Sequence, residues 1–253
     1  MSSSVGQAWA ELLKGRSYGE KISAQFLNRF LRSPYIKLLR HYADLPENAR
    51  VLEPGCGSGK FSLAFVALGN HAFVFDYSFE VLREVRISGY SLYGDSFALL
   101  SSFCCGDIET LPFRDNAFDL VFNEGVVEHW LDDASRLRVM KEMVRVTKQG
   151  GAVAVIVPNG SHPLIKVWER ELEGFKQAPP MTYYSAKKLE TDLIDSGLRD
   201  VYTDGIYPWR SWFRTSPWDR FYLIGAFLDK FVTLPKVWRE KWAINLIGMG
   251  RKS

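Results

Sequence analysis

The sequence predicts an α/β protein: a three-layer sandwich around a mostly parallel seven-stranded sheet, with a helical N-terminal lead-in and an aromatic helical insertion before the last strand. Three observations carry this. Short apolar runs alternate with segments of helical period between residues 50 and 158, the rhythm of parallel strands joined by crossover helices. The strongest of these runs, Ala152-Val-Ala-Val-Ile-Val157, is continuously apolar, as a strand buried on both faces must be. A chain of 253 residues with 47% hydrophobic content is long enough for one such core. A single domain over 1–253 is expected, with a lead-in or lid at 1–48, a cofactor-binding half at 49–158 and a substrate-side half at 159–253.

Residues 8–44 place Ile22, Phe26, Phe30 and Leu31, then Ile36, Leu38 and Leu39, at helical spacing around a break at Ser33-Pro34. Arg50-Val-Leu-Glu-Pro54 is a short buried strand that ends in Gly55-Cys-Gly-Ser-Gly59, and helical period resumes over 60–69. Ala72-Phe-Val-Phe75 is the second strand, closed by Asp76, and Phe79, Val81, Leu82 and Val85 open the next helix. Ser102-Phe-Cys-Cys105 leads into Gly106-Asp107. Phe118-Asp-Leu-Val-Phe122 is a further strand, followed by a helix over 133–148 that Gly150-Gly151 closes. Pro158 stops the fifth strand. A helix over 185–196, a strand over 198–206 and a last strand over 242–249 complete the pattern. The insertion, about 207–240, is rich in aromatics and holds an amphipathic helix around 218–232.

Lysine and arginine exceed aspartate and glutamate by three and are spread through the helices, which gives no long basic face for nucleic acid. Nucleic acid is therefore not the expected partner. Cys56, Cys104 and Cys105 are odd in number and lack metal-ligand spacing, which points to a reducing compartment, no disulfide framework and no metal site. The start lacks the pattern of a signal peptide and no run reaches membrane-spanning length, so a cytoplasmic, soluble protein is expected. A homodimer is compatible with the sequence.

Chemistry enters at the glycine turn, where missing side chains let backbone amides approach a ligand and the following helix offers its positive end. A dinucleotide fingerprint needs glycine at the sixth position; here Lys60 stands there and the third glycine comes one residue early. That spacing argues against a nicotinamide oxidoreductase. Further along, Asp76, Asp107 and Asn123-Glu124 each follow a strand, at the end of the sheet where open α/β folds bind ligands.

Glu53-Pro-Gly-Cys-Gly-Ser-Gly59, with those acids in that order, resembles the class I (Rossmann-like) S-adenosylmethionine-dependent methyltransferases of the small-molecule type. The resemblance covers residues 50–158 and, more loosely, the lead-in and the last strand; it departs from the family pattern between Ile87 and Ser102, which is longer than usual. It implies S-adenosyl-L-methionine as the cofactor, held by Glu53, Gly55, Cys56, Gly57 and Gly59 of the loop. It further implies Asp76 and Tyr77 at the ribose, Asp107 and Ile108 at the adenine, and Asn123 and Glu124 nearest the methyl group. In similar enzymes an N-terminal segment folds over the cofactor, a part for which Tyr18 and Arg16 are candidates.

Methyl transfer from a sulfonium is an in-line displacement with a neutral leaving group, so alignment in a dry pocket can supply most of the catalysis. An acceptor with a high pKa gains from a base. His129 is the first candidate because imidazole titrates near neutrality; Glu128 and His162 are the others. Each has a structural alternative as a cap or packing residue. Seven of the eight tryptophans lie after residue 129, which suggests an apolar or planar small-molecule acceptor. The aromatics also fit a cap's core, or a dimer or membrane-surface contact edged by Arg210, Arg214, Lys230 and Lys236. Asn123 is followed by Glu-Gly-Val rather than Pro-Pro, and no cysteine follows a proline, against amino- and cytosine-directed enzymes. A non-catalytic nucleotide-binding protein and an RNA methyltransferase remain as alternatives.

Overall fold

The computed structural model describes residues 4–13, 22–166, 179–212 and 222–253. Tyr18 and Arg16, and the part of the aromatic stretch that holds Arg214 and Trp218, lie outside them. The lead-in comprises α1 (Ser4–Leu13), α2 (Ala24–Phe30) and α3 (Pro34–Ala43). Ser33 explains the break before α3: its side chain accepts the Ile36 amide, and Pro34 occupies the first turn, where its missing N–H leaves no bond unmade.

Seven strands form one sheet: β1 (Arg50–Pro54), β2 (His71–Asp76), β3 (Ser101–Cys105), β4 (Phe118–Glu124), β5 (Thr147–Pro158), β6 (Leu198–Ile206) and β7 (Asn245–Lys252). Their order is β3-β2-β1-β4-β5-β7-β6. All neighbours are parallel except β7, which runs antiparallel between β5 and β6. The expected mostly parallel seven-stranded sheet is therefore present. Strand order reverses between β1 and β4, which opens a crevice at their carboxyl ends.

Helices α4 (Lys60–Ala67), α5 (Phe79–Tyr93), α6 (Ser96–Leu100), α7 (Asp133–Val146) and α8 (Ala186–Asp195) supply the outer layers. One core joins Leu27, Ile36, Phe61 and Phe65 to Phe122 and Ile156; the other joins Val139, Met143 and Leu189 to Val121 and Val155. Successive residues of β5 thus serve opposite faces, which is why its sequence is apolar without a break. The long Ile87–Ser102 segment extends α5 and then folds back as α6, with the Phe97 ring against Gly89, where a Cβ would lie 2.1 Å from it.

Two boundaries differ from expectation. Gly150 and Gly151 do not close α7: the helix ends at Val146, and the glycines lie within β5, where pairing slips from Phe118–Thr147 to Leu120–Ala152. β5 thus takes three more residues than β4 between these pairs, and Gly150, at φ 74°, lies in the bulged-out stretch. The last strand begins at Asn245, because Trp242 ends a helix. The insertion consists of α9 (Pro208–Trp212), α10 (Tyr222–Phe231) and α11 (Lys236–Trp242). It leaves the sheet after Ile206 and returns at Asn245, which pairs with Ile206 and with Pro158 at the end of β5. It therefore stands at the end of the sheet where β1, β4 and β5 finish. No helix among the described residues is long and apolar enough to cross a membrane.

Candidate functional site

A cleft opens over the carboxyl ends of β1, β2, β3 and β4, roofed by α1. Its floor is the glycine turn. The amides of Gly55 and Cys56 both donate to the Phe75 carbonyl, at 2.9 and 3.0 Å, which anchors the loop to β2. Gly55, Gly57 and Gly59 have φ of 79°, 50° and 70°, a region open to glycine and strained for other residues. A Cβ would lie 2.7 Å from Val126 at Gly55 and 2.4 Å from Val85 at Gly59. Glycine is thus required by the backbone and, at Gly55 and Gly59, by close neighbours; Gly55 and Gly57 line the cleft, whereas Gly59 packs on the buried Val85.

Asp76 ends β2 with one oxygen accepting the Gly57 amide at 3.2 Å and the other the Ser78 amide at 2.9 Å. Burial raises its pKa against the pull of those amides. Tyr77 follows on the cleft wall, its ring packed on Gly6 of α1. Asp107 caps the short turn Ile108–Thr110 by accepting the Glu109 amide at 3.0 Å, and Ile108 is buried beside it in the same wall.

Glu53 also faces the cleft, nearly buried. It accepts the Ser62 amide at 2.9 Å and the Ser62 hydroxyl at 2.5 Å. Burial, helped by the nearby Glu124, raises its pKa to about 8. Glu124 ion-pairs with Lys60, whose ammonium lies over the Phe61 and Phe30 rings. Cys56 is buried with its thiol toward Asp76, 3.8 Å away, and burial followed by the Asp76 charge holds it well above the usual thiol range.

Of the candidate bases, His129 alone lines the cleft. Its Nδ1 lies 3.2 Å from the Pro180 carbonyl; a carbonyl only accepts, so Nδ1 carries the proton and Nε2 the lone pair. Trp9 of α1 packs edge-on against the ring, centroids 5.1 Å apart, and burial lowers the histidine pKa. Arg136 holds the preceding turn in place: it donates to the Trp130 carbonyl at 2.6 Å and pairs with Asp133 and Asp192.

Three expected positions need correction. Asn123 is fully buried and turns away from the cleft, its amide against the Met143 sulfur of α7, because successive β4 residues face opposite layers. His162 is 1% exposed; its Nδ1 accepts the Leu164 amide at 3.0 Å and it hydrogen-bonds to the Trp242 backbone. It shapes the loop after β5 and joins it to the insertion. Glu128 is 2% exposed and outside the cleft lining. Burial raises its pKa to about 8, which leaves it neutral and poor as a base at neutral pH. The sequence reading missed Val5, Gly6 and Trp9 of α1, and Trp130, all in the cleft wall. Trp9 carried a signal: it is the one tryptophan before residue 129.

A methyltransferase-domain family model matches residues 52–155, the stretch that builds this cleft. A malonyl-[acyl-carrier protein] O-methyltransferase of Erwinia billingiae is 35% identical over 135 residues, 52% of this chain and 48% of that protein. The match thus spans about half the length of that curated relative. The uncharacterized protein MJ0638 of Methanocaldococcus jannaschii is 30% identical over 198 residues, 72% of this chain and 76% of its own. Among solved structures, that of the [4+2]-cyclase SpnF overlays 100% of this chain and 97% of its own with a TM-score of 0.62 at 16% identity, a likeness of fold. With the matched glycine turn, the sheet order and the strand-end acids in place, the chain belongs to the class I, Rossmann-like family of S-adenosylmethionine-dependent methyltransferases.

Proposed function

We propose that this chain transfers a methyl group from S-adenosylmethionine to a small organic acceptor of apolar or planar character, by in-line displacement. The observation that carries this is the meeting, in one cleft, of the glycine turn, the strand-end acids Asp76 and Asp107, and His129. When bound, the cofactor supplies an electrophilic methyl on a sulfonium that leaves as a neutral thioether. In this reading Gly55, Gly57 and Gly59 admit the methionine portion, and Glu53 faces its ammonium. Asp76 accepts from the ribose hydroxyls beside Tyr77. Asp107 and Ile108 receive the adenine, and Glu124, restrained by Lys60, stands at the methyl end.

His129 then takes a proton from an acceptor hydroxyl or amine, while Trp9 and Trp130 exclude water from the same wall. The match to a malonyl-[acyl-carrier protein] O-methyltransferase, whose malonyl group carries a carboxylate, adds carboxylates to the acceptors worth testing. A carboxylate is ionised already and needs no base, so its turnover should lack the acid limb that protonation of His129 imposes on a hydroxyl acceptor. A second reading is nucleotide binding without methyl transfer, since fold does not fix reaction. Calorimetric titration with S-adenosylhomocysteine, with NADH as control, tests the site; an acceptor screen that reads S-adenosylhomocysteine formation tests the reaction. Binding without turnover over a broad set of hydroxyl, amine and carboxylate acceptors supports the second reading.

A further inference from the structure

We propose that α10 and α11 form a peripheral docking face for anionic lipid bilayers. Ile224, Phe227 and Phe231 fall at helical spacing on α10 and are all exposed, Phe227 and Phe231 by 60% and 61%, with their rings 4.6 Å apart. Val237 and Trp238 of α11, the next helix in the chain, are also exposed, by 74% and 45%. Scattered exposed apolar residues are ordinary on protein surfaces, whereas exposed aliphatic and aromatic side chains gathered along one helix mark a contact.

The charges around the patch select the partner. Over 222–242 the carboxylates are Asp229 and Glu240, and both are committed inward. Asp229 accepts the Trp209 amide at 2.8 Å and pairs with Arg210, with its own side chain 5% exposed. Glu240 accepts from Thr203 and Lys236. Of the cations of the same helices, Lys236 and Arg239 pair with Glu240 and Asp204, whereas Lys230 and Lys241 are exposed, the Lys230 ammonium 5.1 Å from the Phe231 ring. The outward face is thus aromatic and cationic with its acids withdrawn, the composition that settles at a headgroup boundary. There aromatic rings enter the interface and basic residues are attracted to an anionic surface. A copy of the same patch would instead oppose lysine to lysine.

Helix α11 is tied to the sheet by hydrogen bonds. Asn159 after β5 donates to the Glu240 and Ala243 carbonyls at 2.8 and 2.9 Å, and Arg239 forks onto Asp204 of β6 with both bonds at 2.7 Å. Because the insertion leaves and re-enters at the carboxyl end of the sheet, docking would bring the cleft end of the molecule toward the bilayer.

The test is co-sedimentation of the full chain with phosphatidylcholine vesicles with and without phosphatidylglycerol, at low and high salt, beside sedimentation equilibrium without lipid. Binding to the phosphatidylglycerol vesicles, weakened by salt, is expected. Replacing Lys230 and Lys241 together by glutamine should weaken it by about tenfold or more, and Phe227→Ser with Phe231→Ser should abolish it at high salt. Circular dichroism checks that each variant is folded; should the phenylalanine variant fail, the lysine variant, which changes only exposed side chains, decides. Absence of binding to anionic vesicles, binding indifferent to the lysine changes, or a lipid-free dimer that the phenylalanine variant dissociates would each overturn the proposal.

Discussion

At the scale of single residues, the cleft depends on a few side chains that hold backbone and ligand together. Asp76 ties down the amides of Gly57 and Ser78 and, in the proposed function, the ribose. Asp76→Ala should weaken S-adenosylhomocysteine binding by about 1–3 kcal/mol, the cost of buried hydrogen bonds left unmade. Asp76→Asn, which keeps an acceptor, should lose less, and calorimetry that finds full affinity in a folded alanine variant would remove Asp76 from the site. The strand-end acids were legible because open α/β sheets bind at that edge, and the edge follows from where each apolar run stops. The fates of Glu128 and His162 were not, since they depend on which nitrogen or oxygen meets a distant amide such as Leu164 or a distant backbone such as Trp242. Asn123 was misplaced for a simpler reason: in a strand buried on both faces, hydrophobicity no longer reports which way a given residue points.

At the scale of elements, α1 and the β5 bulge show what lies beyond periodicity. A helical lead-in was evident from spacing, yet the contact of Trp9 with His129 joins positions far apart in sequence and only the fold reveals it. Burial lowers the His129 pKa, and Trp9 contributes part of that burial. Trp9→Ala should therefore move the acid limb of kcat/KM upward, toward the ordinary histidine value of about 6.5, and weaken cofactor binding by about 1.5–3 kcal/mol if the indole also covers the ligand. A limb that stays in place would show that another group controls it. The glycine pair after α7 was read as a helix stop because a stop and a bulge call for the same residue. The two positions separate by substitution. A Cβ on Gly151 meets the Lys148 and Asp119 carbonyls at 2.9 and 3.0 Å, whereas one on Gly150 meets nothing within 4 Å. Gly151→Ala should cost about 1–3 kcal/mol in urea unfolding, and Gly150→Asn, a residue that accepts positive φ, should cost well under that.

At the scale of the whole molecule, buried ionisable groups set how stability responds to pH in the absence of cofactor. Glu53 and Glu128 have pKa values raised to about 8, so the native state keeps two protons that the unfolded chain loses above its ordinary carboxylate range. Stability is then present at low pH and declines as pH rises from about 4.5 to 8, by up to about 1.4 kcal/mol per pH unit for each group. His162, lowered to about 4, and His129, also lowered, act in the opposite sense. The unfolded chain protonates there first, so they lose stability as pH falls below about 6.5. The two effects oppose one another between about 4.5 and 6.5, and the carboxyls act alone above that. Urea midpoints should therefore fall less steeply in the lower window and most steeply between pH 6.5 and 8. Glu53→Gln keeps an acceptor for Ser62 while removing the titration, and should roughly halve that fall. S-adenosylhomocysteine, whose ammonium favours ionised Glu53 in the proposed arrangement, should flatten it in the wild type and release a proton on binding, measurable as a buffer-dependent enthalpy. An unchanged slope in Glu53→Gln would mean that Glu53 is already ionised in the native fold, with the Lys60 charge and Ser62 outweighing its burial.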